Sequence, residues 1–283
     1  MSTPVTGGWK RTAANALARA HLLGPAVSAY QTALGLRGAL GSRSLAAPGP
    51  PVPPAQLRVR VGPSHADLDT FLRSGERHAR LVRGLLDESG ASVEDAAPIL
   101  DFGCGVGRVA RHWNGAGVQL HGCDVNHRMI EWCRRNLPGR FDVTELEPPL
   151  PYDDATFGLA YAFSVFTHLP EQLQHDWLRE FGRVLRPGGY LLVSTLGEYY
   201  VGLKRLSDSE RRDFEAGRLV VLFADHAGES FCSAYHPRDY VEQTLADGFE
   251  YVAYRRGGVE EEHDMHLLRK PQPTGVTSAG TSG

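Results

Sequence analysis

The stretch Ile99-Leu100-Asp101-Phe102-Gly103-Cys104-Gly105-Val106-Gly107-Arg108 decides how the rest of the chain is read. A short run of strand character leads into three glycines at alternate positions, and residues 107–113 behind them read as helix. Glycines remove β-carbons and permit positive φ, so the backbone can turn tightly and approach a ligand closely. The N–H groups of such a turn, with the N-terminus of the helix behind it, favour electron-rich ligand atoms. Asp101, at the end of the strand, adds one carboxylate to the rim. A plain tight turn would also use these glycines. A dinucleotide fingerprint requires G-x-G-x-x-G/A, and the sixth position counted from Gly103 is Arg108.

Outward from that turn, Val118-Gln119-Leu120-His121-Gly122-Cys123-Asp124 reads as the next strand and ends in an acid. A carboxylate there suits a ribose diol, because it can accept two hydroxyl hydrogen bonds strengthened by its charge. The D-x-G-x-G-x-G spacing followed by Asp124 resembles the class I S-adenosylmethionine-dependent methyltransferases. Three further segments carry the resemblance, and together they span about residues 67–270. Residues 148–157 (PPLPYDDATF) resemble the approach to the family's fourth strand, and 161–169 (YAFSVFTHL) the strand with its following turn. Residues 177–189 (WLREFGRVLRPGG) resemble the helix and turn before strand five. One position departs from the family pattern, since Gly158 stands where an acid commonly follows the phenylalanine. The mix is similar to bacterial enzymes of glycan or secondary-metabolite tailoring.

The resemblance implies S-adenosyl-L-methionine as cofactor and methyl transfer by in-line displacement. It places Gly103, Gly105 and Gly107 around the methionine portion, Asp101 at its amino end and Asp124 on the ribose. Phe163 and Ser164 leave strand four at the crevice where α/β sheets bind ligands. Thr144, Glu145 and Leu146 are the candidates on the adenine side. His168, a few residues beyond strand four, is the candidate base, since imidazole titrates near neutrality and can take a proton from a hydroxyl. A helix-start residue bonded to backbone is the competing reading of His168, and packing is the reading of His112. The preferred activity is O-methylation of a small hydroxylated acceptor. The alternatives are a donor-binding partner protein without catalysis and an NAD-type oxidoreductase.

Composition sets the outer bounds. The 283 residues fit one large domain with extensions, and a 42% hydrophobic content supports a sizeable core. A net charge of -3 gives no reason to expect nucleic acid or an anionic membrane as partner. No N/D-P-P-Y/F motif of nucleic-acid methylation occurs, and no apolar run reaches the roughly 18 residues of a membrane span. The four cysteines lack C-x-x-C pairing and no metal-ligand spacing appears, so buried thiols, no metal and a reducing cytoplasm are expected. No secretory leader is recognised at the N-terminus.

Along the chain, residues 1–66 hold Lys10, Arg11, Arg19, Arg37, Arg43, Arg58 and Arg60 and no acid. Residues 1–45 are expected to form a basic helical arm broken at Gly24-Pro25, and the prolines of 46–63 an extended linker. Residues 64–89 read as two helices separated at Ser74-Gly75. From 98 to 196 strands and helices alternate, which predicts an α/β fold. Its seven-stranded, mostly parallel sheet has helices on both faces, and a final antiparallel hairpin lies near 249–268. The methyltransferase domain is thus placed at 64–270, with 197–235 as a lid insertion and 271–283 as a disordered tail.

Overall fold

In the computed structural model the described residues are 23–41, 49–113, 117–203, 206–229, 231–259 and 263–273. Helices α1 (Leu23–Gly41), α2 (Ala55–Val61) and α3 (Leu68–Glu88) precede strand β1 (Ile99–Phe102). Then follow β2 (Leu120–Asp124), α4 (His127–Asn136), β3 (Arg140–Val143), β4 (Phe157–Ala162), α5 (Glu171–Val184) and β5 (Leu185–Thr195). The insertion holds α6 (Glu198–Leu203), α7 (Asp208–Glu215), β6 (Val220–Leu222) and β7 (Ser233–Tyr235). The closing hairpin is β8 (Glu250–Val259) with β9 (His263–Arg269).

Seven strands form one sheet in the order β3-β2-β1-β4-β5-β9-β8, and β9 runs antiparallel to both neighbours. Ile99 pairs with Leu120 on one side and Leu159 on the other, so the chain reverses its direction of travel across the sheet between β1 and β4. In open α/β sheets the crevice outside the strand C-termini at that reversal is where ligands bind. Alternate side chains build the two halves of the core. Ile99, Leu159, Tyr161 and Leu192 pack beneath Val82, Leu85 and Leu86 of α3. Leu100, Phe102, Ala160 and Leu191 pack against Trp177, Leu178 and Phe181 of α5.

Several local expectations change. Residues 64–89 carry a single α-helix, α3, preceded by a 3-10 turn (Pro63–Ala66): Asp67 caps it by accepting from the Thr70 N–H at 2.8 Å, and Gly75 lies inside it. A β-carbon at Gly75 would collide with the Arg108 carbonyl oxygen, so this glycine marks a close approach of helix to turn. The expected linker at 46–63 is helical from Ala55 to Val61, with its prolines ending at the N-cap Pro54. Arg58 is buried there and satisfies three carbonyls, Pro53 at 2.7 Å, Ala66 at 2.7 Å and His65 at 3.1 Å. Gly24-Pro25 lies within α1 as described from Leu23, and the part of the expected arm before it lies outside the described residues. Behind the glycines the chain makes turns and a 3-10 helix (Ala110–Trp113) rather than an α-helix, since Gly107 sits at φ 68°. Pro187-Gly188-Gly189 lies within β5, where the ladder to β4 shifts register, and not in a separate turn. Residues 1–22 and 42–48 of the arm and linker, and 274–283 of the tail, lie outside the described residues.

Candidate active site at the carboxyl edge of the sheet

Gly103, Gly105 and Gly107 all adopt positive φ (70°, 54° and 68°), which leaves the turn after β1 to glycine. Its N–H groups are not free, contrary to the sequence expectation. Gly103 and Cys104 donate to the Cys123 carbonyl at 2.8 and 2.9 Å, Gly107 to the Cys104 carbonyl at 2.9 Å, and Gly105 to Asp124 Oδ2 at 2.9 Å. The turn is thereby tied to the end of β2. Asp124 Oδ1 accepts from Asn126 N–H at 2.8 Å, and burial raises the pKa of its carboxyl against those two bonds. Each Asp124 oxygen keeps a second lone pair for a hydroxyl.

Asp101 is buried at the end of β1, and burial lifts its pKa to about 7 against the Tyr161 hydroxyl and the Arg108 cation. Its Oδ2 has no hydrogen-bond partner among the described residues. A buried polar atom left unmade is expensive, so this oxygen fits a missing cationic or hydrogen-bonding ligand group. The arrangement of Asp101, the glycine turn and Asp124 therefore suits the amino end, chain and ribose of S-adenosylmethionine.

Beyond β4 the backbone is strained. Ser164 holds φ 59°, and its N–H donates to Ser194 Oγ at 2.7 Å. A non-glycine residue in that region is characteristic of functional sites. Phe163 is buried and stacks on His78 of α3 at 4.5 Å, so it meets the crevice through that pair. His168 lies in a 3-10 turn (Phe166–His168), half-buried, with Nδ1–H donating to the Cys232 carbonyl at 2.6 Å. That bond leaves the Nε2 lone pair available. Burial holds the His168 pKa below the ordinary value, opposed by the Cys232 bond, so the imidazole stays neutral. His112 also lies beside α3, with Nε2 buried and without a partner among the described residues.

The sequence reading missed His78, Ser194 and His263. His263, at the start of β9, places Nδ1 3.3 Å from Ser194 Oγ and packs edge-on to Tyr200. Because β9 is antiparallel, its first residue returns to the carboxyl edge of the sheet. A signal for His78 was present, since Ser74 and His78 interrupt the apolar stripe Phe71, Val82, Leu85 on one face of α3. The departure at Gly158 has a steric cause: a β-carbon there would meet the Ala96 carbonyl and the guanidinium of Arg186, which crosses the strand to bond Ala97 O at 3.1 Å. On the adenine side Thr144 is buried, whereas Leu146 is exposed and faces Gly228 of the insertion.

The comparisons with known proteins identify the family. A family model described as a methyltransferase domain matches residues 100–193. A malonyl-[acyl-carrier protein] O-methyltransferase of Erwinia billingiae is 32% identical over 190 residues, covering 64% of this chain and 70% of that protein. The chain belongs to the class I S-adenosylmethionine-dependent methyltransferases. Methyltransferase GfsG of Streptomyces halstedii is 30% identical over 143 residues, covering 47% of this chain and 48% of GfsG. For this and other such relatives the chain spans about half of their length. The fold is also that of an S-adenosylmethionine-dependent methyltransferase from Mesorhizobium loti, with TM-score 0.51, 15% identity and coverage of 66% of this chain and 96% of that one.

Proposed function

We propose that the protein transfers the methyl group of S-adenosylmethionine to a hydroxyl oxygen of a small acceptor, with His168 as the base. The supporting observation is the tautomer of His168: its Nδ1–H is engaged by the Cys232 carbonyl, so Nε2 is left as a neutral proton acceptor in the turn that follows β4. When bound, the donor supplies an electrophilic methyl carbon with its own leaving group. Gly103, Gly105 and Gly107 shape the methionine side, Asp101 takes the ammonium, and Asp124 takes the ribose hydroxyls. Phe163 and Ser164 wall the crevice, and His168 Nε2 receives the acceptor proton. Holding nucleophile and methyl in line accounts for as much as about 7–11 kcal/mol of the barrier, which leaves little covalent work to the protein.

We assign the methyltransferase unit to residues 64–270, with α2 packed onto it, and residues 197–235 to a lid over the acceptor. Two contacts support the lid: Gly228 N–H donates to the His168 carbonyl at 2.8 Å, and Cys232 orients the His168 ring. No helix among the described residues is long and apolar enough to cross a membrane. All four cysteines are free and buried, which suits a reducing compartment such as the cytoplasm.

Calorimetry tests the donor assignment. S-adenosylmethionine and S-adenosylhomocysteine should bind and NAD should not, with Asp124→Ala weakening the former by about 1–3 kcal/mol. Tight NAD binding without donor binding would overturn the reading. Labelled donor offered to hydroxylated glycans, secondary metabolites and malonyl-acyl carrier protein, read by mass spectrometry, should yield an O-methylated product from one of these groups. The last is included because one relative is named for that substrate.

A further inference from the structure

Beside the glycine turn runs a row of polar side chains, His65, Ser74, Arg108 and His78, that proton transfer does not use. Donor counting sets the direction of the bonds that Arg108 makes, since arginine carries no acceptor. Ser74 has one hydroxyl proton and gives it to the Phe71 carbonyl at 3.2 Å. Its oxygen accepts from Arg108 Nη1–H at 3.3 Å and lies 3.1 Å from His65 Nε2. Arginine can only donate, so at 2.8 Å Arg108 gives a proton to His78 Nδ1. A neutral imidazole that accepts at Nδ1 carries its proton on Nε2. Burial, with Arg108 close by, keeps His78 neutral.

His78 is 3% exposed, and its Nε2 has no partner among the described residues. The ring is stacked on Phe163, and its Nε2 is buried away from water. Arg108 acts electrostatically on Asp101 as well as on His78, and Asp101 holds an acceptor in the same condition, its Oδ2. One unmatched donor and one unmatched carboxylate oxygen are the complement of an α-amino-acid head, which offers a carboxylate and an ammonium. The turn cannot easily supply the carboxylate's partners, because the N–H groups of Gly103, Cys104, Gly105 and Gly107 are already bonded.

We propose that His78, held as its Nε2–H tautomer by Arg108, binds the carboxylate of the methyl donor's amino-acid end while Asp101 binds its ammonium. This rests on the reading that the donor is S-adenosylmethionine. Helix α3, and not the glycine turn alone, would then select a donor with an intact amino-acid chain.

Two probes separate the possibilities in calorimetry on the full chain: S-adenosylhomocysteine, and 5′-methylthioadenosine, which lacks the amino-acid head. His78→Phe keeps an aromatic ring against Phe163 and removes the donor, and His78→Gln restores a side-chain N–H. His78→Phe should weaken S-adenosylhomocysteine by about tenfold or more and leave 5′-methylthioadenosine within about twofold, with His78→Gln recovering part of the loss. Equal losses for both probes, or none for S-adenosylhomocysteine, would overturn the assignment. If His78→Phe does not fold, nitrogen NMR of the wild-type chain decides. The His78 Nε2–H signal should be present without ligand and should shift with S-adenosylhomocysteine but not with 5′-methylthioadenosine. An unprotonated Nε2, or no such shift, defeats the proposal. Failure of the wild-type chain to bind S-adenosylhomocysteine at all would instead defeat the donor reading on which it stands.

Discussion

At the scale of single residues, two groups have titrations that bear on function. Asp101 has a folded-state pKa of about 7 against an ordinary 3.8, because burial penalises its anion. The ligand-free fold therefore binds this proton more tightly than the unfolded chain does. The resulting stabilisation is full below 3.8 and is lost as pH rises through about 7. An ammonium placed on Asp101 reverses the preference, so donor binding should release a proton below about pH 7, and affinity should rise to a plateau above it. Calorimetry in buffers of different ionisation enthalpy reads that release, and Asp101→Asn should abolish it while raising the ligand-free melting temperature at pH 8. His168 titrates in the opposite sense. Its pKa lies below 6.5, so turnover should climb with pH in the acid range and level off by neutrality. His168→Ala should lower turnover by about 10²–10⁴-fold, leave donor affinity unchanged and lose the acid-side step. Parallel loss of donor binding would place His168 in the cofactor pocket instead.

At the scale of elements, α2 belongs with the glycine turn. Val61 stands 3.0 Å from where a β-carbon of Gly105 would be, and Leu57 and Val61 pack on Phe71, Val106 and Met129. Helix α1 rests on α2 through Gly35 against Gln56 and Gly38 against Ala55, with Ala66 of the turn after α2 also against Gly38, and it exposes Tyr30 and Leu36. Removing residues 1–45 should consequently leave a folded, donor-binding protein. Removing 1–66 should lower its melting temperature and weaken donor binding, because the cover over Gly105 and Val106 is lost. Circular dichroism melts and calorimetry on the two truncations check both outcomes. Donor binding unaffected by the longer deletion would separate α2 from the site.

At the scale of the whole molecule, the crevice is bounded by pieces far apart in the chain: α2 and α3 before the sheet, the insertion after β5, and the start of β9. Cys232 and Gly228 reach His168 from one side, and His78 reaches Phe163 from the other. A donor that bridges these pieces should slow their opening together, since ligand binding stabilises the states that contain the closed site. Hydrogen exchange should therefore show S-adenosylhomocysteine protecting amides in 55–66 and 74–82 as well as 101–108. Protection confined to the glycine turn would mean that the flanking helices close independently of the donor.

Much of this was legible in the sequence because it depends on local chemistry. The three glycines require a positive-φ turn, alternating apolar runs and helices require a mostly parallel sheet, and Asp124 at a strand end can only face the carboxyl edge. The number of strands and the final antiparallel hairpin follow from the same periodicities. Tertiary structure decided what no local pattern encodes. Gly75, which resembles a helix break, sits inside one helix because the Arg108 carbonyl packs against it. The proline-rich segment ends in a helix because buried Arg58 finds three carbonyl partners. The turn's N–H groups are turned inward because β2 supplies the Cys123 carbonyl and Asp124 to receive them. His78, Ser194 and His263 join the site because hydrogen-bond and stacking partners lying 69 to 85 residues away in sequence meet at one edge of the sheet, which spacing along a chain cannot express.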